Sequence, residues 1–153
     1  MESSAASRLW EIEEIRRLKA RYFRCVDTQD WIGLAALFTT DATMFFPESQ
    51  DAPVNARDGI AFISGALRGG VSIHHGHMEE IEMTSPTSAR GIWAMVDRIF
   101  WADASAGTLG LGGLRGSGHY RDEYRKITDR WLIQSFRLSR LRASTQPAPT
   151  SVI

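Results

Sequence analysis

The chain is poor in several things, and each shortage removes a class of function. Cys25 is its one cysteine, so no intrachain disulfide framework and no cysteine-based zinc site can form. Neither sign of charge is in excess: 18 Lys and Arg balance 18 Asp and Glu, which removes the electrostatic drive toward nucleic acid or an anionic membrane surface. No uninterrupted apolar run approaches the length of a bilayer span. The opening MESSAASRLWEIEE is acidic and lacks an apolar signal core, so a cytoplasmic location is expected. Nucleotide motifs are missing as well. In the glycine-rich stretch 102–118, Gly110 and Gly112 are followed by Arg115 where a dinucleotide fingerprint needs its third glycine, and no Gly-Lys-Ser/Thr occurs. No serine sits in a nucleophile elbow. The expected cofactor content is therefore none, and covalent catalysis has no candidate residue.

What is present is an ordinary globular composition. The 153 residues are 43% hydrophobic and 24% charged, enough for one domain with a sizeable core. Apolar residues at Leu9, Ile12, Ile15, Leu18, Tyr22, Cys25 and Val26 step by threes and fours and predict an amphipathic helix over 9–26. Asp30 is positioned to N-cap a second helix carrying Trp31, Leu34, Leu37 and Phe38. Residues 42–46 read as a strand stopped by Pro47, residues 47–58 as a polar loop, and Ile60, Ile63 and Leu67 as a third helix closed by Gly69 and Gly70. From Val71 the period becomes two. Strands are predicted over 71–83 (kinked at Gly76), 89–101, 118–127 and 130–142, with a mobile, lid-like loop over 107–118 and a disordered tail over 143–153. Residues 1–142 then form one α+β domain: three N-terminal helices packed on a curved, mostly antiparallel sheet, a cone with an open mouth.

Polar groups interrupt the apolar faces at a few positions. Along 89–101 one face reads Gly91, Trp93, Met95, Asp97, Ile99, Trp101, with Asp97 its only ionisable group. A buried carboxylate needs a partner, and His74 or an arginine across the sheet, Arg140, is expected to supply it. Pairing of 71–83 with 89–101 around Ser85-Pro86-Thr87 would bring His74 or a neighbour close to Asp97, and a carboxylate bonded to one imidazole nitrogen leaves the other to act as base and then acid. His75 and His77 share the opposite face; a metal site would need a third ligand that the sequence does not reveal, and no metal is expected. Tyr22 carries a hydroxyl on the helical stripe, Asp27 follows that helix, and Arg140 is placed with Leu132, Phe136 and Leu138 on one face of the last strand. Ile92, Val96 and Phe100 give the outer face of the sheet an apolar component, from which a homo-oligomer, dimer or trimer, is expected.

The segments LKARYFRCVDTQDW, LFTTDATMFF, SIHHGHMEEIEMTSPTSARGIWAMVDR and GHYRDEYRKITDRWLIQSFRLSRLR together resemble the SnoaL-like family of the nuclear transport factor 2-like superfamily. The similarity spans residues 8–142 and is greatest to the bile acid 7α-dehydratase branch, with scytalone dehydratase more distant. The resemblance implies a cone-shaped fold and an active site composed of Tyr22, Asp27, His74, Asp97 and Arg140, with Asp97 as the partner of the catalytic His74. It implies a cofactor-independent lyase (dehydratase) or isomerase acting on a hydrophobic, ring-containing molecule such as a steroid or polyketide. The alternative is a non-catalytic ligand-binding module or the structural small subunit of a ring-hydroxylating dioxygenase. Departures from the dehydratase pattern over 44–70 and 102–117 fall where the mouth of the cone is expected.

Overall fold

A computed structural model describes residues 4–103 and 106–148. Helix α1 (Ala5–Asp27) starts at Ser4, whose side chain accepts from the Ser7 N–H, and buries Ile15, Leu18, Lys19, Tyr22, Phe23, Cys25 and Val26. Asp30 caps α2 (Trp31–Ala35) by accepting from the Gly33 N–H at 2.8 Å. That helix is shorter than its apolar spacing suggests, because Phe38 already begins β1 (Phe38–Phe45). A short β2 (Val54–Asn55) precedes α3 (Ala56–Leu67), which Asn55 caps through the Asp58 N–H. Four long strands follow: β3 (Gly70–Ser85), β4 (Ser88–Trp101), β5 (Leu111–Ile127) and β6 (Arg130–Pro147).

The six strands form one sheet in the order β2-β1-β6-β5-β4-β3, antiparallel throughout except where β1 runs parallel to β6. Period-two burial on β4 puts Gly91, Trp93, Met95, Asp97, Ile99 and Trp101 on the inward face, as the sequence alternation requires. Val96 and Phe100 stay exposed on the outside. A depression of about 790 Å³ lies on the outer face, edged by Glu82, Arg90, Arg121, Glu123 and Arg137. Among the described residues no helix is long and apolar enough to cross a membrane.

The structure corrects several of the expected boundaries. Residues 111–118 are not a loop: they extend β5, and 113–118 pair with Phe100–Met95 of β4. Glycines there weaken the hydrophobic signal of a strand, yet neighbours on both sides supply its backbone bonds. Of the expected loop only residues 107–110 lie outside the strand, with Gly107 and Gly110 at φ 66° and 65°. Nor does the chain lose order at Ala143, since residues 143–147 continue β6 and pair with Leu111–Gly116. The remainder of the expected tail, from residue 149, lies outside the described residues. The irregularity in β3 falls at Met78 (φ 46°), between the paired residues His77 and Glu80, rather than at Gly76. Beside it Glu79 takes a salt bridge from Arg16 of α1.

Two bulges in β6 decide which way its side chains face. Ile133 pairs with Tyr124 but Ser135 with Glu123, so Gln134 is an extra residue; Arg140 pairs with Gly118 but Arg142 with Ser117, so Leu141 is another. Trp131 and Ile133 point inward before the first bulge; Phe136, Leu138 and Arg140 point inward after it. Leu132 is therefore not on Arg140's face, contrary to simple alternation.

Candidate active site

All five residues singled out in the sequence reach one region of the cone. A cavity of about 140 Å³ is lined by Tyr22, His74, Asp97, Tyr120 and Arg140, with Phe46, Phe62 and Leu109 among its apolar walls. Asp27 stands behind His74.

His74, of the residues expected near Asp97, is its direct cross-strand partner in the β3–β4 hairpin. The carboxylate that orients the imidazole is nevertheless Asp27. Its Oδ1 lies 2.6 Å from His74 Nδ1 and also accepts from the Ser72 hydroxyl at 2.9 Å; its Oδ2 accepts from the His74 backbone N–H at 2.9 Å. Burial alone would raise the Asp27 carboxyl, but the hydrogen bonds from His74 and Ser72 outweigh it and hold the group below its ordinary value. With Nδ1 donating to Asp27, the tautomer leaves Nε2 as the free acceptor. Nε2 is 3.8 Å from Asp97 Oδ2, too far for a hydrogen bond and close enough for charge stabilisation.

Asp97 belongs instead to Arg140. The guanidinium donates to both carboxylate oxygens, at 2.8 Å and 2.5 Å, in a fork geometry. Burial disfavours the Arg140 charge, yet the paired carboxylate more than restores it and the net shift is upward. Arg140 on β6 must cross β5 to reach Asp97 on β4, and it does so above Gly116. A Cβ there would collide with Arg140 Nη1 and with Asp97 Oδ1. The glycine-rich sequence that reads as a loop is thus the gap through which the ion pair forms. At the mouth, the Arg140 backbone N–H beside the Leu141 bulge donates to Glu48 at 2.7 Å.

The tyrosines sit deeper. The Tyr22 and Tyr120 hydroxyl oxygens are 3.5 Å apart, and burial followed by their mutual proximity raises Tyr22 well above the ordinary phenol range. Both remain neutral donors. Below them is a second polar cluster that the sequence reading missed. Lys19 donates to Asp122 Oδ2 at 2.7 Å, and both side chains are fully buried. Tyr124 donates to the same oxygen at 2.6 Å while accepting from Trp93 Nε1 at 2.9 Å. The signal was present: Lys19 stands four residues after Ile15 and three before Tyr22 on the apolar stripe, and Asp122 alternates with Tyr120 and Tyr124. His75 and His77 face outward and are exposed, their rings 6.0 Å apart, so only the first of the three clustered histidines enters the site.

Comparison with known proteins fits this architecture. The sequence pattern of the SnoaL-like domain matches residues 7–137, and the chain belongs to that family, within the nuclear transport factor 2-like superfamily. It is 26% identical over 137 residues to the probable cyclase FGR4 of Gibberella zeae, an alignment covering 83% of this chain and 89% of the relative. Among solved structures it is similar to a variant of Rv3472, a protein of unknown function from Mycobacterium tuberculosis, at 27% identity and a TM-score of 0.73, over 93% of this chain and 79% of that one. The hexachlorocyclohexane dehydrochlorinase LinA-type3 of Novosphingobium barchaimii LL02 shares the fold, with a TM-score of 0.76 at 16% identity over 98% and 97% of the two chains.

Proposed function

We propose that the protein is a cofactor-independent lyase or isomerase that moves a proton at a carbon beside a carbonyl in a neutral, hydrophobic ring compound. The observation that carries this reading is His74: its Nδ1 is fixed by Asp27 and its Nε2 stands free at the wall of an apolar cavity. Nε2 takes the proton from the activated carbon, and the C–H electron pair becomes the enolate. Tyr22 or Tyr120 donates a hydrogen bond to the oxygen where that charge collects. The imidazolium, flanked by Asp27 and Asp97, then returns the proton. Delivered to a β-hydroxyl it expels water and leaves an enone; delivered to another carbon it shifts the double bond. One such base contributes typically ~10²–10⁴-fold. Arg140, occupied by Asp97, holds the carboxylate near the imidazolium and presents little free positive charge to a substrate anion.

The cavity bounds the substrate. About 140 Å³ is the scale of a space that accepts one six-membered ring. A steroid or fused polyketide would require the mouth segments around Phe46 and Leu109 to swing aside. The placement within the bile acid 7α-dehydratase branch belongs to this same proposal and rests on the convergence of Tyr22, Asp27, His74, Asp97 and Arg140. The test is incubation with a panel of β-hydroxy ring ketones in deuterated water, read by mass spectrometry. Loss of one water, or deuterium gained beside the carbonyl, is expected and should vanish in His74→Ala. A panel spanning one to four rings that shows neither would sink the reading.

A further inference from the structure

The proposed chemistry has no step for Lys19 and Asp122, yet they are among the most buried side chains of the protein. Stability does not account for them. Removing two charges from water costs several kcal/mol per ion, and an apolar pair of the same volume commonly does as well. The pair is also incompletely satisfied: Asp122 Oδ1 is buried without a hydrogen-bond partner. What the arrangement does is place a cation against the tyrosine rings. Lys19 Nζ lies 3.7 Å from the Tyr120 ring centroid and 4.6 Å from that of Tyr22. Asp122, itself fixed by Tyr124 and through it by Trp93, holds the ammonium in that position. A cation over an aromatic face is attracted by the ring's electrons, and its field favours negative charge building on the phenol oxygen in the ring plane.

We propose that Lys19 is a positioning residue for the tyrosine pair: its ammonium, anchored by Asp122 against the rings of Tyr22 and Tyr120, strengthens the cavity-facing phenol as a donor to a developing oxyanion. Of the two hydroxyls, one donates to the other and one hydrogen remains for a ligand, so the polarisation acts on the donor that matters. This inference rests on the reading that the tyrosines face an oxyanion, and the experiment separates the two.

The probe is 4-nitrophenol, a single ring whose phenol and phenolate forms absorb differently. Bound to the unmodified protein, it should ionise at lower pH than in free solution, because the tyrosine donors favour the phenolate. Lys19→Met alone would strand the Asp122 carboxylate, so the variant of choice is Lys19→Met with Asp122→Asn, which removes both charges. In that protein the bound probe's ionisation should move upward by about one pH unit, while near-ultraviolet circular dichroism stays native. An unchanged ionisation in the folded double variant overturns the role of Lys19 and leaves the oxyanion reading standing. A probe that ionises no lower on the unmodified protein than in water overturns the oxyanion reading and this inference together. Lys19→Arg supplies a second reading should the double variant not fold: it keeps a cation opposite Asp122 and must keep the downward shift, and loss of that shift in folded Lys19→Arg refutes the proposal.

Discussion

Asp27 accepts hydrogen bonds from three donors, the Ser72 hydroxyl, the His74 backbone and the His74 ring. An asparagine in its place must turn an N–H toward one of them, whichever way its amide is set. Asp27→Asn should therefore lower turnover by ~10²-fold or more, by releasing the imidazole from its tautomer, and also cost about 1–3 kcal/mol of stability. Steady-state kinetics on a confirmed substrate and urea unfolding measure the two effects separately; full activity in this variant would remove Asp27 from the mechanism. Tyr22→Phe tests the other end of the site. If its hydroxyl serves the oxyanion, kcat should fall by about 10²-fold with little change in KM, since the interaction forms in the transition state. Tyr22, Asp97 and Arg140 were legible in the sequence because each interrupts an apolar face, whereas Asp27 and His74 entered through their places after the helix and on the hairpin and through the family resemblance. The partnership was legible only in part: hairpin pairing brings His74 or a neighbour near Asp97, and Arg140 stands among the expected partners of that carboxylate, but no periodicity reveals that a helix C-terminus delivers a closer carboxylate to the imidazole. Asp97→Asn should accordingly act by loosening Arg140 rather than by changing the imidazole tautomer.

At the level of elements, β5 and β6 are the strands whose sequence misleads. Glycines at 110, 112, 113, 116 and 118 suggest a loop, and small polar residues after Ala143 suggest a tail, because local composition carries no record of a neighbouring strand. The Gln134 bulge is equally silent in the sequence, and it reverses the facing of everything that follows, Arg140 included. Helices and the β3–β4 hairpin were legible because caps and alternation are local signals. Gly116 shows how the less legible strands serve the site. Gly116→Ala places a methyl group where the Arg140–Asp97 fork now lies. Breaking that pair leaves a buried carboxylate uncompensated, so a loss of about 3–5 kcal/mol is expected in chemical denaturation. A native unfolding midpoint for this variant would show that the fork tolerates displacement.

For the molecule as a whole, two carboxyls held below their ordinary range, Glu11 and Asp27, tie α1 to the sheet at both ends. Asp27 joins the end of α1 to β3, and Glu11 joins its beginning to Lys126 and Trp131. At Glu11 burial raises the carboxyl, and the Lys126 and Trp131 hydrogen bonds overcome it. A carboxyl whose folded value is depressed contributes stability that is complete above its unfolded value and is lost as pH falls through the folded one. Thermal midpoints should therefore be level near neutrality and decline below about pH 4, with a smaller decline in Asp27→Asn. β3 closes one side of the sheet, and an unpaired strand edge is a template on which further strands can add. Here the His74 N–H, directed away from β4, is occupied by Asp27, and the Met78 irregularity with the Arg16–Glu79 bridge disrupts the line farther along. The carboxylate that orients the His74 ring is thus also a stopper on the sheet, and its loss would leave that backbone donor of the edge open to a further strand.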